Sequence, residues 1–174
     1  IIKELKLLIV EDDENLIKGY MSNIESYNKT NDEIKIIPLI ENNKDEAINH
    51  LRNSEKNFDG AIIDLDLKKS GGDDSSGNDV IKEVKTNLRF PVFVISGTAH
   101  NIAEELNEET AFFKVRNRDD DFDFVEEMVS IYNTGITNIT NRKGTIEKYI
   151  SEIFWNHLSN SMELWVQDES RTSE

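Results

Sequence analysis

The chain has 174 residues, room for one domain of ordinary size with an appendage and too few for two full domains. Lys and Arg number 20 against 35 Asp and Glu, a net charge of −15, which disfavours nucleic acid and anionic lipid, both bound through phosphate neutralisation. The absence of cysteine excludes disulfide and thiolate chemistry. No apolar run approaches the roughly 20 residues that span a bilayer. The start at Ile1-Ile2-Lys3-Glu4 lacks a signal peptide's basic end and long apolar stretch, and it lacks Met. A cytoplasmic protein, cut from a longer chain, is the expectation.

Short apolar runs alternate with amphipathic stretches of helical length, the spacing of β/α units around a parallel sheet. Leu5 to Val10 reads as the first strand, ending in Glu11-Asp12-Asp13. A helix follows from about Glu14 to Tyr27, with Leu16, Ile17, Tyr20, Met21 and Ile24 at helical spacing. Ile34 to Ile40 is the second strand, and Pro38 assigns it to an edge. A second helix spans about Lys44 to Asn53. Gly60 to Asp64 is the third strand, nearly all apolar, as burial on both faces demands. After a loop rich in Gly, Ser and Asp, Val80, Ile81 and Val84 mark the third helix. Phe90 to Ile95 is the fourth strand, closed by Ser96-Gly97-Thr98. A short helix near Ile102 to Leu106 leads to a fifth strand, Ala111 to Val115. The acidic run Asp119 to Asp121 precedes a helix carrying Phe122, Val125, Met128, Val129 and Tyr132.

In a doubly wound sheet, ligands gather beyond the carboxyl ends of the strands. Those ends carry Glu11 and Asp12, Asp64, Ser96 and Lys114. Hard oxygen ligands of this kind suit Mg²⁺, which is often completed by a phosphoryl oxygen. A hydroxyl and an ammonium supply what a transferred phosphoryl needs to offset its developing charge.

Leu7-Leu8-Ile9-Val10-Glu11-Asp12-Asp13-Glu14 resembles the opening of a response-regulator receiver domain. Asp59 to Leu65 is similar to that family's third strand, Pro91 to Gly97 to its fourth, and Phe112-Phe113-Lys114 to its fifth. The resemblance covers about residues 5 to 132. It implies a five-stranded parallel sheet of order 2-1-3-4-5 with helices on both faces, to which the amphipathic stretch after the fifth unit adds an appended C-terminal helix. It further implies that Asp64 accepts a phosphoryl group from a histidine kinase or phosphotransfer protein, with only self-catalysed transfer and slow loss of phosphate as activity. By the same resemblance Asp12 and Asp64 bind Mg²⁺ directly, Glu11 acts through water, and the backbone carbonyl of Asp66 completes the set. Ser96 is then the switch hydroxyl and Lys114 the phosphate-pairing lysine. The chain departs from the family in having Val115 where Pro is usual, Ala111 where an aromatic is usual, and a longer loop after Asp64.

Two other readings compete. One is a receiver-like protein-interaction module that is never phosphorylated, which the missing aromatic and the Lys-Val step favour. The other is a phosphohydrolase of the haloacid dehalogenase type, since Asp64-Leu65-Asp66-Leu67 resembles its paired-Asp motif. Against it, that motif usually opens its domain and continues into Thr, whereas Lys68 and Lys69 follow here. His50, His100 and His157 have no metal-ligand spacing. The receiver is placed at 1–133, with a linker and amphipathic helix at 134–174. Gly135 and Gly144 flank a Thr- and Asn-rich stretch poor at sustaining a helix. The stretch after it carries Ile146, Ile150, Ile153, Phe154, Leu158 and Trp165, a stripe suited to a homodimer or a fused output domain.

Overall fold

The computed structural model describes residues 2–53, 57–140 and 150–159. The chain divides into two compact units, 1–141 and 142–174.

The first unit is an α/β sandwich. Its strands are β1 (Lys3–Val10), β2 (Ile34–Glu41), β3 (Gly60–Ile63), β4 (Val92–Ser96) and β5 (Phe113–Asn117). They form one parallel sheet in the order β2-β1-β3-β4-β5, the expected order. Its helices are α1 (Glu14–Thr30), α2 (Lys44–Arg52), α3 (Gly77–Asn87), α4 (Phe124–Asn133) and α5 (Ile136–Thr140). Alternation along β1 sends Leu8 and Val10 to one face and Leu5, Leu7 and Ile9 to the other. The first face packs with Ala47, Leu51, Val80, Ile81 and Val84 of α2 and α3. The second packs with Ile24 of α1 and Phe124, Val125, Met128 and Val129 of α4. Asp13, Asn43 and Asp123 each accept backbone N–H bonds from the first turn of the helix they precede, satisfying donors that the helix itself leaves unpaired.

The outer flank of β2 is occupied by side chains. Asn28 of α1 both donates to the Ile36 carbonyl at 2.9 Å and accepts from its N–H at 2.8 Å. Asn31 accepts from the Ile34 N–H at 3.0 Å. Pro38 pairs with Leu7 of β1 as an edge residue.

Three expectations need correction. The segment after β4 holds no α-helix at Ile102 to Leu106; short 3₁₀ turns stand at Ala99–Asn101 and Glu104–Leu106. Asn78 of α3 accounts for this by accepting from Ala103 N–H and donating to the Asn101 carbonyl, which holds the stretch between the turns extended across α3. The fifth strand begins two residues later than Ala111, because Thr110 and Phe113 first close a tight turn by exchanging backbone bonds of 2.9 and 3.3 Å. The Thr- and Asn-rich stretch after Gly135 starts at once as α5, where Gly135 has a positive φ of 74° that favours glycine. Thr140 Oγ1 ties α5 to the Arg89 carbonyl at 2.8 Å.

In the second unit, residues 150–159 are helical, with a π-helical turn at Phe154–Leu158. Ile150, Ile153 and Trp155 are exposed. Ile146 and Trp165 of the expected stripe lie outside the described residues.

Candidate functional site

The site is built where β1, β3, β4 and β5 end. β1 runs apolar to Val10, so Glu11 is carried straight out of the core and remains buried, with 1% of its surface exposed. β3 delivers Asp64 beside it, held by a 2.9 Å bond from the Asp64 N–H to the Val10 carbonyl and likewise 1% exposed. One oxygen each from Glu11, Asp12 and Asp64 lies within 4.8 Å of the others. Glu11 Oε1 accepts from the N–H groups of Asp12 and Asp13 at 3.1 and 3.0 Å. Its Oε2 is buried without a hydrogen bond. An orphaned carboxylate oxygen among three hard oxygen donors fits a divalent cation such as Mg²⁺. The carboxylate of Asp66 is not in this group; it accepts from the Lys68 N–H at 3.2 Å, while its own N–H donates to Asp64 Oδ1 at 3.3 Å.

Burial raises the Glu11 carboxyl to about 7, and the neighbouring Asp64 charge adds to the rise. Burial likewise raises Asp64, opposed by a hydrogen bond from Ser96 and by the Arg118 guanidinium. Ser96 closes β4 fully buried, and its Oγ also lies 3.2 Å from Thr98 Oγ1. The α3 N-terminus presses on this corner at Gly77, where a Cβ would meet the Asp64 carbonyl oxygen at 2.2 Å.

Lys114 is not brought to the site. It lies opposite Phe93 in mid-strand and pairs with Glu127 of α4 at 2.5 Å. The residue opposite Ser96 is Asn117, and the next one, Arg118, reaches Asp64 Oδ2 at 2.5 Å and Glu11 Oε2 at 3.7 Å. Sequence reasoning missed Arg118. The available signal was its place just before the acidic run Asp119 to Asp121, where a strand end meets a turn.

The β3–α3 loop lies over the same carboxylates. The Ser70 N–H donates to Asp12 Oδ2 at 3.0 Å, and Lys69 Nζ pairs with Asp13 at 2.5 Å. Farther along, the Asp74 carbonyl accepts from Asn101 at 3.3 Å and Thr98 at 3.5 Å, linking the loop to the segment after β4.

No protein-family model matches the sequence, and no curated protein does. Solved structures do match. One, described as a segment of the yeast Spc42 trimeric coiled coil fused to another structure, aligns with a TM-score of 0.57 at 16% identity, over 92% of this chain and 97% of that one. The N-terminal domain of a response regulator/sensory box/GGDEF 3-domain protein from Carboxydothermus hydrogenoformans aligns at 0.50 and 19% identity, over 76% and 92%. The chain has the receiver-domain fold. The signal receiver domain of a modulated diguanylate cyclase from Desulfovibrio desulfuricans G20, described as an example of alternate folding, aligns at 0.50 and 16% identity, over 82% and 97%. Within this receiver fold the carboxylates stand at the strand ends flanking the β1/β3 switch point, the crevice that open α/β sheets use for ligands. Among the described residues no helix is long and apolar enough to cross a membrane.

Proposed function

We propose that the chain is a phosphoacceptor signalling module in which Asp64 takes a phosphoryl group from a phosphohistidine of a histidine kinase or phosphotransfer protein. The observation that carries the reading is the convergence of Glu11, Asp12 and Asp64 oxygens within 4.8 Å, with a guanidinium and a buried hydroxyl beside the same Asp64. Asp12 and Asp64 would hold Mg²⁺ directly, Glu11 directly or through water, and the Asp66 backbone carbonyl is the further ligand. The cation when bound neutralises charge on the transferring phosphoryl.

Asp64 Oδ attacks phosphorus as the P–N bond to the donor imidazole breaks. The electron pair returns to that nitrogen, which takes up a proton, and an acyl phosphate remains on Asp64. Arg118 releases the carboxylate oxygen and binds phosphoryl oxygens, for which its planar fork is suited. It thereby takes the role first assigned to Lys114. Ser96 donates its hydroxyl to the same group, and the loss of its bond to Asp64 alters the packing of the segment after β4.

Asp64→Asn is the deciding variant, because an amide does not attack phosphorus. With a small phosphodonor and Mg²⁺, intact mass should show one hydroxylamine-labile phosphoryl on the parent and none on the variant. Full labelling of the variant removes Asp64 from the role.

The reading of a receiver-like interaction module without phosphorylation is favoured by one observation: Arg118 and Ser70 already engage Asp64 and Asp12. Absence of labelling in the parent would select it. Residues 134–174 are proposed to act as a linker and helix that joins a second copy or a fused output domain. Sedimentation of the whole chain against one ended at Asn141 checks this, a fall from dimer to monomer being the outcome expected for pairing between copies.

A further inference from the structure

At the amino ends of β4 and β5, away from the carboxylates, lies a cavity of about 350 Å³. The connection between these strands holds 3₁₀ turns and no α-helix. Val84 and Leu88 of α3, with Phe90 and Phe113, supply apolar walls, and Ile136 of α5 closes the far side. Two cations also line it, in a chain of net charge −15. Lys85 Nζ stands 3.6 Å from the centre of the Phe113 ring and donates to the Leu106 carbonyl at 2.5 Å, but no carboxylate pairs with it among the described residues. The exposed Arg89 guanidinium makes no ion pair there either.

We propose that this cavity binds a compact amphiphile with an apolar body and one anionic group, of the alkyl or aryl carboxylate class. Its volume falls in the range of about 300–1,000 Å³ typical of small-molecule sites, as does its plan of apolar walls with few polar groups. The apolar body displaces water from the Phe90, Phe113 and Leu88 surfaces. The anion meets Lys85 and Arg89, neither of which is engaged in an ion pair among the described residues, Glu108 acting on Lys85 only from a distance. Burial already lowers the Lys85 ammonium, a cost that a neighbouring anion offsets. Because α5 forms one wall, occupancy ties the strand ends to the segment leading toward residue 141.

The site is separate from the phosphoacceptor reading, so Asp64→Asn should leave it unchanged. The probe is anilinonaphthalene sulfonate, titrated into the whole chain and followed by its fluorescence, with octanoate and octylamine as competitors. Saturable binding at one site, displaced by octanoate and at least tenfold less well by octylamine, is the expected result. Arg89→Glu, which removes no described side-chain bond, should weaken binding about tenfold, and Lys85→Glu with Arg89→Glu further. Lys82→Glu, on the same helix but outside the lining, should match the parent. No saturable binding, equal displacement by the amine, or parent-like affinity in both charge-reversed variants overturns the proposal.

Discussion

At Asp64 the place in a candidate site is legible from sequence because a carboxylate is costly at the end of an all-apolar strand unless something uses it. Glu11 and Asp12 are legible for the same reason, at the end of β1. Arg118 is not, because which cation stands at the end of β5 depends on where that strand begins. The Thr110–Phe113 turn delays the strand by two residues, which leaves Lys114 in mid-strand, paired with Glu127 of α4, and carries the strand end on to Asn117. The two cations therefore separate in experiment. Arg118→Ala should slow phosphorylation of Asp64 by roughly a hundredfold, the scale of losing one donor to developing charge. Lys114→Ala loses a partly exposed ion pair and should cost about 1 kcal/mol or less of stability, with near-parental labelling. Rates of acyl-phosphate formation by intact mass distinguish them, and the reverse ranking returns the role to Lys114.

Among the elements, the five strands and the helices α1, α2, α3 and α4 are readable from periodicity because each buries a whole face or stripe. The connection between β4 and β5 escapes that logic. Ile102 and Leu106 look helical by spacing, yet Asn78 bonds the chain between them and leaves only two tight turns. A side chain on another element decided the outcome, and local periodicity carries no trace of it. Gly77 is a similar case, since its meaning lies in the backbone it meets across space. Gly77→Ala would drive a Cβ into the Asp64 carbonyl and push α3 away from the β3 end. A loss of about 1–3 kcal/mol is expected in urea unfolding, as for other forced overpacking, together with slower labelling. A parental midpoint would mean that α3 yields there freely.

For the molecule as a whole, the clustered carboxylates should make stability depend on metal and on pH together. Without metal the folded state holds a proton on Glu11 up to about pH 7, while the unfolded chain releases it near 4.5. Between those values the folded state binds more protons, so this group's contribution is full below the lower value and is lost as pH rises through the higher one. In chelator, the parent's melting temperature should therefore fall relative to Glu11→Gln from pH 5 to 8. On the proposed reading Mg²⁺ binds the deprotonated carboxylates and should reverse that trend, contributing about 2.7 kcal/mol at a hundredfold excess over Kd. Melting curves at several pH values with and without Mg²⁺ check both signs. Parallel curves for parent and variant would mean that Glu11 does not titrate in this window.

The flank of β2 bears on how copies of this molecule can meet. Residues 34, 36, 38 and 40 turn their backbone groups outward on alternating positions, and an open row of such groups is a template on which another chain can polymerise. From Ile34 to Pro38 no outward N–H is left open. Asn31 takes the Ile34 N–H, Asn28 takes both groups of Ile36, and Pro38 has no N–H to offer. Strand addition there would have to break the amide bonds of Asn28 and still find a missing rung at Pro38. The sheet is thus guarded against fibre-like growth from β2 by three residues from the same flank, two of them asparagines that serve no part of the carboxylate cluster.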